Sequence, residues 1–491
     1  MIATLALIVA ACAALPAAGP VAAPVPATPP ASIVVIMTDD LDEVTVTAMP
    51  RLRSLLHDRG TTFNAFFAAV PICCPNRASL MRGQYGHNHQ VTGNYRWYEG
   101  LYLSGREEDT LATRLDPSHR VIGVGKYMNA YPGDAAPTYV PPGWNRVRFS
   151  SGEPEYLGYR LIETSGAGPP SLVDYGSAAE HYSTDVFAQQ ADHLIRETAA
   201  DGEPFFLYVA PKAPHGPQGD ASVAPRHRGA AVTQSQRPRS LAFDEADVSD
   251  KPSFVRGLPR LTQKAISDLD QKHRQRQRQM LAVEDLVQTI LTALSETGRL
   301  ESTYLFFTSD NGVHFGEHRM TQDSIGATKG RLYDTDIKVP LVVRGPGVPE
   351  GATRDQLVSM IDLLPTILDI TGLSAPDYVD GRSFRTLLQP VPERWPRRGL
   401  LVQTWNGADN DESGRGPHGR ALVTASRRYL EHHGLTPREY ELYRSETDPE
   451  QIENVYASAS RAEREELQRA LDALKDCTGA SCRAAEDAAP D

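Results

Sequence analysis

Residues 31–37 read Ala-Ser-Ile-Val-Val-Ile-Met, an unbroken apolar and β-branched run that gives way at once to Thr38-Asp39-Asp40. A run without alternation has no polar face to offer water. It therefore predicts a strand buried on both sides, as in a parallel sheet covered by helices. Residues 49–56 read as the helix that follows, with a proline in its first turn. Further strands are expected at 120–124, 204–210, 302–309 and 339–343, and helices at 184–199, 271–297 and 361–371. This alternation defines an α/β fold, a large mostly parallel sheet flanked by helices.

The chain has 491 residues, enough for one large domain and a smaller one. We expect the main domain over 31–390 and a small C-terminal α+β domain over 391–482, with strand-like pieces at 400–404, 420–424 and 440–443 and a closing helix at 461–475. Residues 483–491 read as a disordered tail, and 217–261, rich in Pro, Gly, Ser and charge, as a long surface excursion.

The first thirty residues stand apart. Residues 2–15 are almost continuously apolar, and Ala, Gly and Pro follow as far as Pro30. That run is shorter than the roughly 20 residues that cross a bilayer, so no membrane span is expected. It fits an export signal with small residues near Ala18 or Ala23 for cleavage, although no Lys or Arg precedes Arg51. Val9-Ala10-Ala11-Cys12 also fits a lipobox, which makes a lipid anchor on Cys12 the second choice after simple secretion. In an exported chain, Cys477 and Cys482 read as a local disulfide. The formal net charge of −12 argues against nucleic acid as a partner. A small anionic substrate remains compatible with it, because a cationic pocket can sit on an acidic surface.

In open parallel sheets ligands bind beyond the carboxyl ends of the strands. Asp39 and Asp40 follow the first strand, and Asp310 and Asn311 follow the 302–309 strand. An isolated Asp-Asp is more often a helix cap. Together the two clusters make an oxygen-only ligand set suited to a hard divalent cation, Ca²⁺ or Mg²⁺.

Cys73-Cys74-Pro75-Asn76-Arg77 contains the pattern Cys-x-Pro-x-Arg, with Pro and Arg two and four residues after Cys73. It resembles the signature of type I sulfatases of the alkaline-phosphatase-like superfamily. Thr38-Asp39-Asp40, Gly125-Lys126-Tyr127, Ala213-Pro214-His215-Gly216-Pro217, Thr308-Ser309-Asp310-Asn311-Gly312 and Lys329-Gly330-Arg331-Leu332-Tyr333 come in that family's order. Tyr85-Gly86-His87-Asn88-His89, Gly125 to Tyr131 and the Cys477/Cys482 pair are similar to its N-acetylglucosamine-6-sulfatase and extracellular endosulfatase branch.

The resemblance implies a sulfuric ester hydrolase acting on a sulfated sugar or aryl sulfate. It implies that a formylglycine-generating enzyme oxidises Cys73 to formylglycine, whose hydrated form supplies one hydroxyl to attack sulfur. Asp39, Asp40, Asp310 and Asn311, with residue 73, would hold Ca²⁺ or Mg²⁺. Arg77 would support the modified side chain, Lys126 and Lys329 would neutralise sulfate oxygens, and His215 would protonate or bind the leaving oxygen. Many sulfatases carry a histidine two residues after the Gly-Lys pair; this chain has Met128 there and then Asn129, which is expected to contact substrate. The base acting on the diol must then come from elsewhere, with His87 or His89 as candidates. His87 and His314 are also expected to bind substrate; His314 and His318, just past the cation ligands, either line the pocket or order its loop. Two further readings compete: a phosphate or phosphonate ester hydrolase of the same superfamily, and a glycan-binding protein with Cys73 unmodified.

Overall fold

A computed structural model describes residues 30–166, 168–216, 219–405 and 419–491. The export run and Cys12 lie outside the described residues.

Ser32–Thr38 is a strand, and all seven of its residues are buried. It sits inside a ten-stranded sheet whose order is Ala352–Arg354, Thr61–Phe63, Leu341–Arg344, Thr303–Ser309, Ser32–Thr38, Phe205–Ala210, Arg120–Gly125, Arg146–Ser150, Tyr159–Glu163 and Ser171–Tyr175. The five strands from Thr303–Ser309 to Arg146–Ser150 run parallel. Antiparallel pairing enters only toward the two edges. The expected mostly parallel α/β sheet is thus present.

Successive side chains of a strand point to opposite faces. Val34 and Ile36 meet the helices Ser183–Asp201 and Gln263–Glu296 on one face. Ile33, Val35 and Met37 meet Cys74, Ala78, Leu80 and Met81 of the Cys73–Arg82 helix, and the Leu363–Ile370 helix, on the other. A strand enclosed in this way must be apolar along its whole length, as residues 31–37 are.

Residues 219–261 hold two short 3₁₀ turns and one helical turn, Ser253–Arg256, and otherwise run irregularly. The C-terminal region is a four-stranded antiparallel sheet in the order Gly399–Thr404, Gly419–Thr424, Arg427–His432, Glu439–Arg444, packed under the Arg461–Lys475 helix. The Arg427–His432 strand was not expected from sequence. Its buried polar residues are satisfied, His432 by Glu441 of the neighbouring strand and Glu431 by Tyr429 of the same strand, so its hydropathy is low although it is buried.

The tail is a correction. Residues after Cys482, expected to be disordered, continue a helix, Ala480–Asp487. Its Glu486 is fully buried, accepts from Tyr85 Oη at 2.5 Å and pairs with Arg397 at 2.9 Å and Arg382 at 3.1 Å. These partners lie up to 401 residues away in sequence, which is why a small, charged segment reads as tail until the fold is known. Cys477 and Cys482 form the expected disulfide.

Candidate active site

The register of the two central strands places Thr38 beside Ser309, so Asp39-Asp40 and Asp310-Asn311 emerge side by side from the sheet. Asp310 Oδ1 accepts the Asp40 backbone N–H at 3.1 Å, and Asn311 Nδ2 donates to Asp40 Oδ1 at 2.7 Å. The helix Cys73–Arg82 starts at this point and every residue in it is buried. Asn76 pins its first turn: its Oδ1 accepts from Ala69 N–H at 3.0 Å and its Nδ2 donates to the Asp310 carbonyl at 2.5 Å. Cys73 is thereby held at a helix N-terminus, where the aligned peptide dipoles favour negative charge.

Cys73 Sγ lies 3.3 Å from Asp39 Oδ1, 3.8 Å from Asp40 Oδ1 and 2.8 Å from Lys329 Nζ. Lys329 also reaches Asp40 Oδ1 at 2.7 Å, and Lys126 reaches Asp39 Oδ2 at 2.6 Å. Arg77 pairs with Asp310 at 2.8 Å and donates to Tyr208 Oη at 2.9 Å and the Lys126 carbonyl at 3.1 Å. His215 is half-buried, with Nε2 3.5 Å from Asp40 Oδ2 and Nδ1–H donating to the Gly216 carbonyl at 2.9 Å. Asp39, Asp40, Cys73 and His215 thus form one cluster able to hold a metal ion.

Two lysines, an arginine and a histidine face three carboxylates here, and this balance sets the ionisation of Asp39 and Asp40. Burial would raise Asp39, but Lys126, His215, Arg77 and Lys329 outweigh it and hold the carboxyl well below its usual range. Asp40 is lowered in the same way, burial being outweighed by Lys329 and His215. Burial, with Asp310 and Asp39 adding to it, pushes the Cys73 thiol well above the usual thiol range. A plain thiol at this position is protonated and a poor nucleophile.

The structure thus gathers Asp39, Asp40, Cys73, Arg77, Lys126, His215, Asp310, Asn311 and Lys329. Asn129 is 6 % exposed and lies one residue beyond Met128, whose sulfur touches Cys74 at 3.7 Å. Its Nδ2 stands 3.5 Å from Glu153, and its Oδ1 is buried without a partner.

The other histidines are committed to the scaffold. His87, expected at the substrate, instead has its ring nitrogens 2.8 Å from Gln403 Oε1 and 2.9 Å from the Cys477 carbonyl, because its loop packs against the C-terminal sheet. His89 is wholly buried between Ser79 Oγ and the Val91 N–H, each at 3.0 Å, and burial drives its basicity down to about 3. His314, also expected at the substrate, spans Asp336 at 2.9 Å and the Ala327 carbonyl at 3.1 Å. It orders the loop that delivers Lys329, and His318 does similar work through Glu245 at 2.6 Å.

Sequence reasoning missed Asn76, Tyr208, Tyr156 and Arg276. Asn76 stood inside the motif as a free position. The others carry no local signal: Tyr208 comes from its strand, Tyr156, which donates to the His215 carbonyl, from the connection between the Arg146–Ser150 and Tyr159–Glu163 strands, and Arg276, which donates to the Pro214 and Asp40 carbonyls, from the Gln263–Glu296 helix.

A mostly parallel sheet with acidic residues, lysines and a buried cysteine at its central strand ends is the architecture of an alkaline-phosphatase-like ester hydrolase. The chain belongs to the sulfatase family and is a sulfuric ester hydrolase: the Sulfatase family model matches residues 31–373. A second model, N-sulphoglucosamine sulphohydrolase, C-terminal, matches 323–476. The chain is 33% identical over 387 residues to the N-acetylglucosamine-6-sulfatase of Homo sapiens, which covers 76% of this chain and 67% of that relative. It is 31% identical over 384 residues to an extracellular sulfatase homologue of Drosophila melanogaster, covering 75% of this chain and 33% of that relative. Among solved structures, its fold matches that of a protein in complex with its substrate D-glucosamine-2-N,6-O-disulfate, with TM-score 0.70, 19% identity and coverage of 94% of this chain and 100% of the other. Among the described residues no helix is long and apolar enough to cross a membrane.

Proposed function

We propose that this sulfatase removes sulfate from a sulfated sugar of the N-acetylglucosamine-6-sulfate class, with residue 73 as formylglycine and a divalent cation, Ca²⁺ before Mg²⁺, at the strand ends. The observation that carries this reading is the convergence of Asp39, Asp40 and Lys329 on Cys73 at the end of the central strands.

The residues present suit the cation. Asp39, Asp40, Asp310 and Asn311 offer oxygen, and Asn311 Oδ1 is buried without any donor. A buried acceptor left bare costs about 1–3 kcal/mol, so an ion there satisfies it. When bound, the cation supplies charge stabilisation to the nucleophile and a sulfate oxygen. The raised thiol fits a residue that works only after oxidation; a formylglycine-generating enzyme would act before folding buries it.

Lys126 and Lys329 neutralise the ester's sulfate oxygens, and both stay charged: burial opposes their charge, but the neighbouring carboxylates outweigh it. Arg77 holds Asp310 and the start of the Cys73 helix in place. His215, with Nδ1–H committed to a carbonyl, presents Nε2 toward the site and, as the imidazolium, gives its Nε2 proton to the leaving oxygen. Asn129 and Glu153 form a polar edge suited to sugar hydroxyl or amide groups. The sugar class rests on the N-acetylglucosamine-6-sulfatase relative and on the substrate of the similar solved structure. Secretion fits the disulfide and the extracellular relative.

The test is sulfate release from N-acetylglucosamine-6-sulfate beside a 4-nitrophenyl sulfate and 4-nitrophenyl phosphate pair. We expect turnover of both sulfates. Preference for the phosphate would overturn the reading in favour of a phosphate ester hydrolase, and activity confined to aryl sulfate would overturn the sugar assignment.

A further inference from the structure

The Gln263–Glu296 helix carries many charged residues, and Arg276 in its middle reads as one more solvated side chain. It is instead 1 % exposed. Its Nη1 donates to the Pro214 carbonyl at 3.0 Å, and its Nη2 donates to the Asp40 carbonyl and to Asp42 Oδ1, the latter at 3.0 Å. Phe315 closes the other side, with its ring centre 5.0 Å from the guanidinium. The anchor does not move freely. Asp42 Oδ2 is held by Arg237 at 2.9 Å, and Arg237 is held by Glu317 at 2.8 Å.

The two carbonyls belong to neighbouring loops that follow the paired strands Ser32–Thr38 and Phe205–Ala210 and that meet where Asp39 N–H donates to the Ala213 carbonyl at 3.3 Å. One carries Asp40, and the other leads directly into His215. Asp40 has φ 60°, a left-handed conformation uncommon outside glycine, and its surroundings hold it there. Asp310 grips its N–H and Arg276 its carbonyl. The His215 turn is gripped a second time, by Tyr156 Oη donating to the His215 carbonyl at 2.7 Å.

We propose that Arg276 is a positioning residue that sets the spacing between His215 and the Asp40 loop, and so places the proton donor at the leaving oxygen. This rests on the reading of His215 as the acid. The guanidinium spans these acceptors with two separate nitrogens, Nη1 on the Pro214 carbonyl and Nη2 on the Asp40 carbonyl and Asp42; a lysine keeps the charge but gathers its donors on one nitrogen and loses that span. A misplaced acid matters when the leaving oxygen is strongly basic and little when it leaves readily unassisted.

The test compares Arg276→Lys, Tyr156→Phe and His215→Ala on 4-nitrophenyl sulfate and 4-methylphenyl sulfate, with melting temperatures measured alongside. We expect Arg276→Lys to lower kcat on the methylphenyl ester by about tenfold or more and on the nitrophenyl ester by less than about threefold, with KM unchanged. Tyr156→Phe, which leaves the buried charge network intact, should show the same selectivity at smaller size. Combining Arg276→Lys with His215→Ala should add no further loss. If His215→Ala is selective for the basic leaving group but neither Arg276→Lys nor Tyr156→Phe is, this proposal falls and the His215 assignment stands. Equal losses on both esters for His215→Ala would overturn that assignment and this proposal with it.

Discussion

Two neighbouring thiols, both buried, should answer very differently to removal. Cys74 touches Met128 Sδ at 3.7 Å, and burial pushes its thiol up to about 12, so it is a neutral packing group. Cys74→Ala deletes one buried sulfur and leaves the backbone bond from Cys74 N–H to Asn94 intact. Small deletions of this kind cost about 1–2 kcal/mol. Unfolding entropy near 2 cal/mol/K per residue gives about 1 kcal/mol/K for 491 residues, so the melting temperature should fall by only about 1–2 °C. Most of the activity should remain. Cys73→Ala removes the group that becomes the nucleophile, and losses at such positions reach about 10⁴-fold or more. The assay is hydrolysis of 4-nitrophenyl sulfate by purified variants, with calorimetry, and mass spectrometry of the tryptic peptide 60–77. In the active protein that peptide should be lighter by roughly 18 Da, the change from thiol to aldehyde. Equal loss in the two variants, or full activity with a plain thiol at position 73, would refute the reasoning.

Chelation should abolish turnover and lower the melting temperature, with Ca²⁺ restoring both more fully than Mg²⁺; undiminished activity in protein shown by elemental analysis to be metal-free would overturn the cation site. His89 makes stability pH-dependent. Its basicity falls from 6.5 to about 3 on folding, so the unfolded chain takes up a proton between those values and the folded chain does not. Stability is then full above 6.5 and declines as pH drops toward 3, by up to about 1.4 kcal/mol per pH unit. Melting curves of His89→Gln should show a shallower decline, and parallel curves for the two proteins would remove His89 as the cause. Glu486→Ala, which strips the carboxylate from Arg382, Arg397 and Tyr85, should cost about 3–5 kcal/mol while leaving turnover at moderate temperature intact. A melting temperature equal to that of the unaltered protein would restore the reading of the last residues as a tail.

What could be read along the chain was whatever depends on local composition and spacing. Residues 31–37 announced a doubly covered strand because burial on both faces removes every polar position. The Cys73–Arg77 pattern and the acidic residues after two strands named most of the site, because a helix start and two strand ends supply ligands from within a few residues each. Hydropathy could not see the Arg427–His432 strand or the last helix, since their buried charges are met by partners no local average registers: Glu441 of the neighbouring strand for His432, and Tyr85, Arg382 and Arg397 for Glu486. Nor could spacing sort the histidines. His87, His89 and His314 look alike in sequence to His215, but the first three have both ring nitrogens taken by scaffold groups, and only His215 turns Nε2 to the Asp40 carboxylate. Arg276 is the sharpest case: helical periodicity tells which residues share a face, not what that face meets. Its partners are main-chain carbonyls of two loops, groups that every residue carries and that only the folded chain brings within 3.0 Å.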